Sequence, residues 1–214
     1  MVSHAAAERV ELVRALQSVP PGAPTLCEGW TALDLAAHLV ARERRPDSGP
    51  GLIVPALAWW TDRVRAGYAR RPYPELIDLV ASGPPRTSFF AVPGVDAALN
   101  FVEFLVHTED VRRAQPEWEP RDLDPELREA VWSGLRRQGR LYFRRSPVGV
   151  ELVRPDGAEL TFGPRDADPG TRVRLTGEPA ELLLLATGRR RHARVTVDGD
   201  PDAVRRFEDA RLGL

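Results

Sequence analysis

The sequence predicts a mainly α protein in two parts: a helical bundle over residues 1–145, followed by a small α+β domain over residues 146–214. Two observations support this prediction. Apolar residues recur at helical spacing through long segments of the first part. After Ser146 the pattern changes to short segments that end at glycine- and proline-rich turns, which is typical of strands.

Six helices are predicted in the first part. A helix over residues 4–18 has an apolar face formed by Val10, Leu12, Val13 and Leu16 and ends at VPPGAP. Thr31 can cap the second helix, ALDLAAHLVARERR, with Asp34 as a weaker substitute for the glutamate of a capping box. The remaining four are LIVPALAWWTDRVRAGYAR, YPELIDLVAS, a helix from near Val95 to before Pro116, and DPELREAVWSGLRRQGRLYF.

The second part alternates strands and helices. VGVELV and AELTFG are predicted strands joined by the turn sequence RPDG, and TRVRLT and ARVTVDGD are two more. EPAELLLLATG is apolar enough to be a short buried helix, and PDAVRRFEDARL is a closing helix.

Composition excludes several classes of protein. The chain has 214 residues and a formal net charge of −1, whereas nucleic-acid-binding proteins carry a clear basic excess, so we expect no nucleic-acid partner. Because the sequence has neither an apolar run of about 18 residues nor a signal-peptide core, we expect a cytoplasmic protein without a membrane partner. The single cysteine, Cys27, excludes an intramolecular disulfide and a zinc site built on several thiolates.

The segment NFVEFLVHTEDVRRA, residues 100–114, has the strongest functional pattern. Its predicted helix is apolar on nearly all sides and therefore buried, yet it contains Glu103 and His107. On a helical wheel Glu103, His107 and Asp110 fall within about 60° of one another. Burying an unpaired charge is costly, so another group must compensate these side chains. A carboxylate and an imidazole four residues apart can converge on one metal ion.

His38 is the best third ligand, because the small alanines of LAAHLV let another helix approach closely. His4 lies near a chain end that is expected to fray, and His192 belongs to the other predicted domain. Three ligands from His38, Glu103 and His107 would leave a coordination position open, as in catalytic zinc sites. The alternative is a metal-free bundle in which Glu103 and His107 pair with each other and His38 is a hydrogen-bonded core histidine.

Two segments resemble motifs of the DinB-like, mycothiol-dependent maleylpyruvate isomerase superfamily. LCEGWTALDLAAHLVARE is similar to its first motif, a Gly-Trp-Thr/Ser followed by an Asp and a His-Leu. FVEFLVHTEDVRRA is similar to its second motif, a Glu and a His four apart followed by an Asp. VRLTGEPAELLLLATGR and VTVDGD resemble its small C-terminal domain. With VARERRPDSGPG included, the resemblance is to an actinobacterial subgroup of metal-binding proteins.

The resemblance implies a four-helix, DinB-like bundle followed by a sterol-carrier-like α+β domain. It implies that His38, Glu103 and His107 hold a divalent metal, usually zinc, with nickel, iron or manganese as alternatives. It also implies mycothiol as the thiol cosubstrate.

Such a metal can lower the pKa of an external thiol and present a thiolate nucleophile. The chain would then be a mycothiol-dependent isomerase or S-transferase acting on an electrophilic small molecule. A metal-dependent hydrolase is a further alternative. The competing hypothesis is a non-enzymatic metal-binding or small-molecule-binding module that senses or carries a ligand. The sequence leaves the substrate and the choice between monomer and homodimer open.

Three other residues allow two interpretations each. Asp110 could orient the His107 ring as a hydrogen-bond partner that does not touch the metal, or form an ion pair with Arg113 on the helix surface. Cys27 is expected to be a buried packing residue rather than a nucleophile, and Asp34 a helix-start residue rather than a ligand.

Two groups of larger side chains also allow two interpretations each. Trp59 and Trp60 could line a substrate pocket or belong to the core. The arginines at 189–191 either lie at a helix end, where cations suit the negative dipole, or one of them holds a substrate carboxylate.

Overall fold

The computed structural model describes residues 3–45, 47–48, 54, 56, 58–85, 95–163 and 171–213, and for residues 95–99 it describes the backbone alone. The chain forms two compact units, Met1–Pro120 and Arg121–Leu214. The predicted class, mainly α with an α+β C-terminal part, is confirmed. The four-helix bundle and the domain boundary at residue 145 stay predictions.

The first unit is helical in its described residues. Its helices are α1 (His4–Gln17), α2 (Ala32–Arg44), α3 (Ala58–Tyr68), α4 (Tyr73–Ser82) and α5 (Val95–Arg112). Helix α1 packs along α5, and α2 packs against α3 and α4. The apolar side chains between α1, α2, α4 and α5 form one core, to which belong Leu12, Leu16, Leu35, Leu39, Leu76, Ile77, Val80 and Phe104.

The predicted start of α2 is confirmed as a capping box. The Thr31 hydroxyl accepts from the Asp34 backbone N–H at 3.3 Å, and the Asp34 carboxylate accepts from the Thr31 N–H at 3.2 Å. Two backbone donors at the helix start are satisfied in this way, which fixes where α2 begins. His38 lies one turn further along the helix.

The predicted apolar face of α1 is wrong at Val10, whose side chain is 49% exposed, whereas Leu12 and Leu16 are fully buried. Residues two apart on a helix point about 200° away from each other, so Val10 cannot share a face with Leu12. Glu8, four residues before Leu12, occupies the buried face instead.

A buried ion pair joins the helices of the first unit. The Arg9 guanidinium on α1 donates to both carboxylate oxygens of Glu43 on α2, at 2.5 and 3.0 Å. It also donates to the Val80 carbonyl oxygen on α4 at 2.8 Å and lies over the Phe104 ring of α5, 4.4 Å from its centre. One cation of α1 thus contacts three other helices, and the bidentate geometry compensates its burial.

The second unit contains α6 (Pro125–Tyr142), α7 (Pro179–Ala186) and α8 (Pro201–Glu208) with four strands. The strands are β1 (Gly149–Val153), β2 (Glu159–Phe162), β3 (Arg172–Thr176) and β4 (Thr196–Gly199). The sheet has the order β2-β1-β3-β4, in which β1 and β3 are parallel and the outer pairs antiparallel. All four predicted strands and the buried α7 are confirmed. Helix α6 packs against α7 and β2.

The outcomes differ for the predictions about α3, Trp59 and the arginines at 189–191. Helix α3 begins at Ala58, and residues 52, 53, 55 and 57 of its predicted first part lie outside the described residues. Trp59 is 63% exposed, so the core alternative is wrong for this side chain. Arg189 and Arg190 donate to backbone carbonyls at the ends of α7 and α8, which agrees with the helix-end alternative. None of the described helices is long and apolar enough to cross a membrane.

We expect Gly139→Ala to lower the free energy of unfolding, because a Cβ atom at this position of α6 would lie 2.4 Å from the Phe162 ring. That ring is buried and stacked on Phe143, so it cannot move away freely. Overpacking of this kind costs about 1–3 kcal/mol, which exceeds the gain of up to about 1 kcal/mol from replacing a helical glycine. Urea unfolding followed by circular dichroism measures the change.

The matched control is Gly67→Ala, since Gly67 also lies within a helix and a Cβ there meets no atom within 4 Å. This variant should be as stable as the wild type or slightly more stable. If both variants had the same stability, close packing of Phe162 on α6 would be contradicted.

Candidate metal centre

Helices α2 and α5 bring His38, Glu103 and His107 together. Nε2 of His38 lies 3.4 Å and Nε2 of His107 lies 3.2 Å from the same carboxylate oxygen, Oε1 of Glu103. The three donor atoms lie within 4.8 Å of one another. Both imidazoles are buried, and the Glu103 side chain is 29% exposed, so the cluster is reached from solvent on the Glu103 side.

The donor set fits a divalent metal of the zinc type. Two imidazole nitrogens and one carboxylate oxygen are the ligands of many catalytic zinc sites. Ligands about 2.0–2.1 Å from a tetrahedral ion are about 3.3 Å apart, and the two nitrogen–oxygen distances here match that spacing. Three protein ligands also leave one tetrahedral position for another molecule.

Asp110 fixes the orientation of the His107 ring. Its side chain is fully buried, and Oδ2 lies 2.8 Å from Nδ1 of His107. An ionised carboxylate only accepts hydrogen bonds, so Nδ1 carries a proton and donates it to Asp110. Nε2 on the other side of the ring is therefore the nitrogen directed at Glu103. A carboxylate behind a histidine is the usual arrangement around metal-ligating imidazoles. Arg113, the alternative partner of Asp110, donates to Glu109 at 2.5 Å.

Cys27 has a role that the sequence analysis missed. Its half-buried thiol donates to Oδ2 of Asp110 at 3.2 Å, and its sulfur lies 3.9 Å from Nδ1 of His107. Cys27, His107 and Asp110 thus form a second group of possible metal ligands, on the opposite side of the His107 ring. In this group the Cys27 thiol and the Nδ1 proton of His107 already form hydrogen bonds with the Asp110 carboxylate.

The turn after Cys27 depends on a glycine. Gly29 has a φ of 74°, which side-chain-bearing residues rarely adopt, and the Trp30 N–H then donates to the Cys27 carbonyl oxygen at 3.0 Å. Leu26 donates its N–H to the Asp110 carbonyl oxygen at 3.0 Å, which attaches the loop to α5. The centre of the Trp30 ring lies 5.0 Å from the centre of the His38 ring.

Arg65 and Asp34 hold Trp30 in this position. The Arg65 guanidinium lies 4.9 Å from the centre of the Trp30 ring and donates to Asp34 at 2.6 Å. The capping box confirms the prediction that Asp34 is a helix-start residue, and Arg65 is a second contact of its carboxylate. His38 is enclosed by Trp30 on one side and by Glu103 on another.

Arg42 is the second residue that sequence reasoning missed. It lies one turn after His38 on the same face of α2, and its Nε is 3.5 Å from Oε1 of Glu103. Another of its nitrogens donates to the Asn100 side chain on α5. The spacing of four residues from His38 was a signal that could have pointed to it.

The remaining histidines lie elsewhere. His4 contacts the Phe101 ring with ring centres 5.9 Å apart, and His192 lies in a 3₁₀ turn of the second unit. Among the described residues, neither belongs to a group of possible metal ligands.

Burial and hydrogen bonding shift the pKa values of His38, Glu103 and His107 in different directions. Burial lowers the pKa of His38 below its usual value, although the hydrogen bond to Glu103 opposes this effect. Burial would raise the pKa of Glu103, but hydrogen bonds from His107 and His38 outweigh it and hold the pKa well below the usual range. Burial would also lower the pKa of His107, but its bonds to Asp110, Cys27 and Glu103 raise it well above the usual value.

Two solved structures share this fold. The structure is similar to the crystal structure of the mycothiol-dependent maleylpyruvate isomerase, with 16% sequence identity, a TM-score of 0.62, and 91% of this chain and 90% of that chain covered. It is similar to a histidine-to-alanine mutant of that enzyme at the same identity and coverage, with a TM-score of 0.60. No family model and no curated protein matches the sequence.

The resemblance that two short motifs suggested thus extends over nine tenths of the chain as a shared fold. The comparison confirms the fold, and membership of the superfamily stays a prediction. The actinobacterial subgroup stays a prediction.

In metal-free protein we expect the His107 imidazole to titrate above pH 6.5 and the His38 imidazole below it. Because the folded pKa of His107 is raised, its contribution to stability is complete below the unfolded pKa and is lost as the pH rises through the folded value. NMR titration of the ring protons gives both values.

Asp110→Asn removes the carboxylate and should lower the pKa of His107 much more than that of His38. The resulting loss in the free energy of unfolding should be largest below pH 6.5 and should shrink as the pH rises through the folded pKa of His107. Equal changes in the two imidazoles, or an unchanged His107, would contradict the assigned hydrogen bond.

Proposed function

We propose that the chain is a divalent-metal enzyme in which His38, Glu103 and His107 hold the metal and an external thiol binds beside them. The observation that carries this proposal is the convergence of two imidazole nitrogens on one carboxylate oxygen, at 3.4 and 3.2 Å. The zinc-type donor set and the shared fold support it.

The protons that the two imidazoles would need without a metal favour a metal over a simple ion pair. Without a metal, both Nε2 atoms would need a proton to bond with the same oxygen of Glu103. His107, which already donates from Nδ1 to Asp110, would then be a buried cation. A divalent cation satisfies all three donor atoms at once, with both imidazoles neutral.

The charges around the cluster suit an anionic sulfur. A divalent cation with an open position lowers the pKa of a thiol that enters it and so supplies a thiolate nucleophile. The nearby carboxylates of Glu103 and Asp110 balance the two charges of that cation, and the Arg42 guanidinium leaves an excess of positive charge. A thiolate neutralises this excess, which favours its binding.

The thiol has to come from another molecule. The one cysteine of the chain, Cys27, donates its proton to Asp110 on the far side of the His107 ring. We propose mycothiol, because two solved structures that share this fold are of a mycothiol-dependent isomerase. The reaction class is then thiol addition to an electrophilic small molecule, with either release after isomerisation or formation of an S-conjugate. Zinc is the proposed metal.

Purified protein is expected to contain about one equivalent of divalent metal by elemental analysis. His38→Ala and His107→Ala should each lose most of it, because two protein ligands hold a metal poorly. Asp110→Asn should weaken metal affinity by about 10–100-fold without removing a ligand. His192→Ala, which removes a histidine of the second unit, is the matched control and should keep the metal. Full metal content in the His38→Ala and His107→Ala variants would refute the ligand assignment.

Thiol binding is a separate prediction. Calorimetry should detect mycothiol binding to metal-loaded wild-type protein, and S-methyl-mycothiol, which has no ionisable thiol, should bind more weakly. The metal-free double variant His38→Ala/His107→Ala should not bind it. If metal-loaded protein bound no mycothiol, the enzymatic proposal would fail and the alternative of a metal-binding or sensing module would be favoured.

A further inference from the structure

A cavity of about 590 Å³ lies in the second unit, beside the C-terminal end of α6 and the start of β3. This volume is in the range of small-molecule sites. The described residues that line it are Arg140, Phe143, Arg144, Ser146, Thr161, Phe162, Gly163 and Arg172. None of them belongs to the proposed metal centre.

Two stacked aromatic rings form an apolar wall of the cavity. Phe143 and Phe162 are buried, with ring centres 5.6 Å apart and planes 21° from parallel. Phe162 is held against α6 because Gly139 has no side chain. Gly163 has a φ of 104° and lies so close to β1 that a Cβ would be 2.9 Å from the Val148 carbonyl oxygen. This wall is therefore fixed by close packing on both sides.

The other feature of the cavity is a group of three exposed guanidiniums. Arg140 and Arg144 are one turn apart at the end of α6, and Arg172 opens β3. Among the described residues, none of the three side chains forms an ion pair or hydrogen bond. Other arginines of this unit do, such as Arg154 with Glu129 and Arg174 with Glu151.

Three like charges around one cavity repel each other unless an anion lies between them. Guanidiniums bind carboxylates and phosphates through two parallel hydrogen bonds, and an apolar wall favours a ligand with an apolar body. We propose that this cavity binds a small organic anion with at least two negative charges, such as a dicarboxylate or a phosphate monoester. This site goes beyond the proposed metal chemistry and does not depend on it.

Phenyl phosphate and phthalate are suitable probes of the two anion chemistries, because each joins two negative charges to one aromatic ring. Titrated into the full chain at low salt and followed by ¹⁵N–¹H NMR, at least one of them should bind saturably, with a dissociation constant below about 1 mM. The backbone amides of Ser146, Gly163 and Arg172 should shift most. Comparison of the two affinities identifies the preferred oxyanion, and the monoanion benzoate should bind at least about tenfold more weakly.

A charge-matched pair of variants separates a site from diffuse surface charge. Arg140→Gln/Arg144→Gln should weaken binding at least about tenfold. Arg136→Gln/Arg137→Gln removes the same charge from exposed positions on the same helix and should change affinity less than about twofold. Arg172→Gln changes a different element and should also weaken binding, which keeps the test decisive if the α6 variant fails to fold.

Three results would overturn the proposal: no shifts with either dianion, equal weakening by the two paired variants, or benzoate binding as tightly as the dianions.

Discussion

The buried carboxylate of Asp110 is the constraint on which the geometry of the proposed metal centre depends. It has no exposure to solvent and therefore needs donors, which it finds in the His107 ring and the Cys27 thiol. Its backbone carbonyl accepts a third hydrogen bond, from Leu26. One residue of α5 thus sets the orientation of a proposed ligand and the position of the loop before α2. Because that loop ends at Trp30, which packs against His38, Asp110 influences both imidazoles.

The position of α2 relative to α5 has a different origin. His38 meets Glu103 because the two helices share an apolar core and because Arg9 binds Glu43 of α2 while it covers Phe104 of α5. A buried ion pair contributes little net stability compared with apolar residues of the same size, but the loss of one partner costs several kcal/mol. The pair therefore disfavours, and so helps to exclude, arrangements of the helices that separate Arg9 from Glu43. A site of three convergent side chains requires this kind of exclusion, since a shift of one ångström separates the donors.

Sequence patterns were sufficient where a feature depends on near neighbours in the chain. The capping box of α2, the strands β1–β4 and the spacing of Glu103 and His107 all depend on residues a few positions apart. The contacts of Cys27 with Asp110 and of Arg42 with Glu103 join residues more than sixty positions apart, so they depend on tertiary packing, although the spacing of Arg42 from His38 is local. The parallel pairing of β1 with β3 likewise depends on a long-range contact. Val10 is exposed because its angle on the helix directs it away from Leu12, which its apolar character alone does not reveal.

Because the chain contains no lysine, all its positively charged side chains other than histidine are guanidiniums. All 30 basic residues are arginine, whose planar group binds carboxylates through two hydrogen bonds, so an arginine near an acidic side chain usually pairs with it. The buried pairs of Arg9 with Glu43 and of Arg113 with Glu109 follow this rule. The exposed Arg140, Arg144 and Arg172 pair with no acidic side chain among the described residues, although the chain has 31 acidic residues. Arg140 and Arg144 gain some stability from the negative end of the α6 dipole, which accounts for two cations at this helix end. Arg172 has no such explanation, since a strand end carries little dipole, and its position on the same cavity therefore favours a ligand as the missing anion.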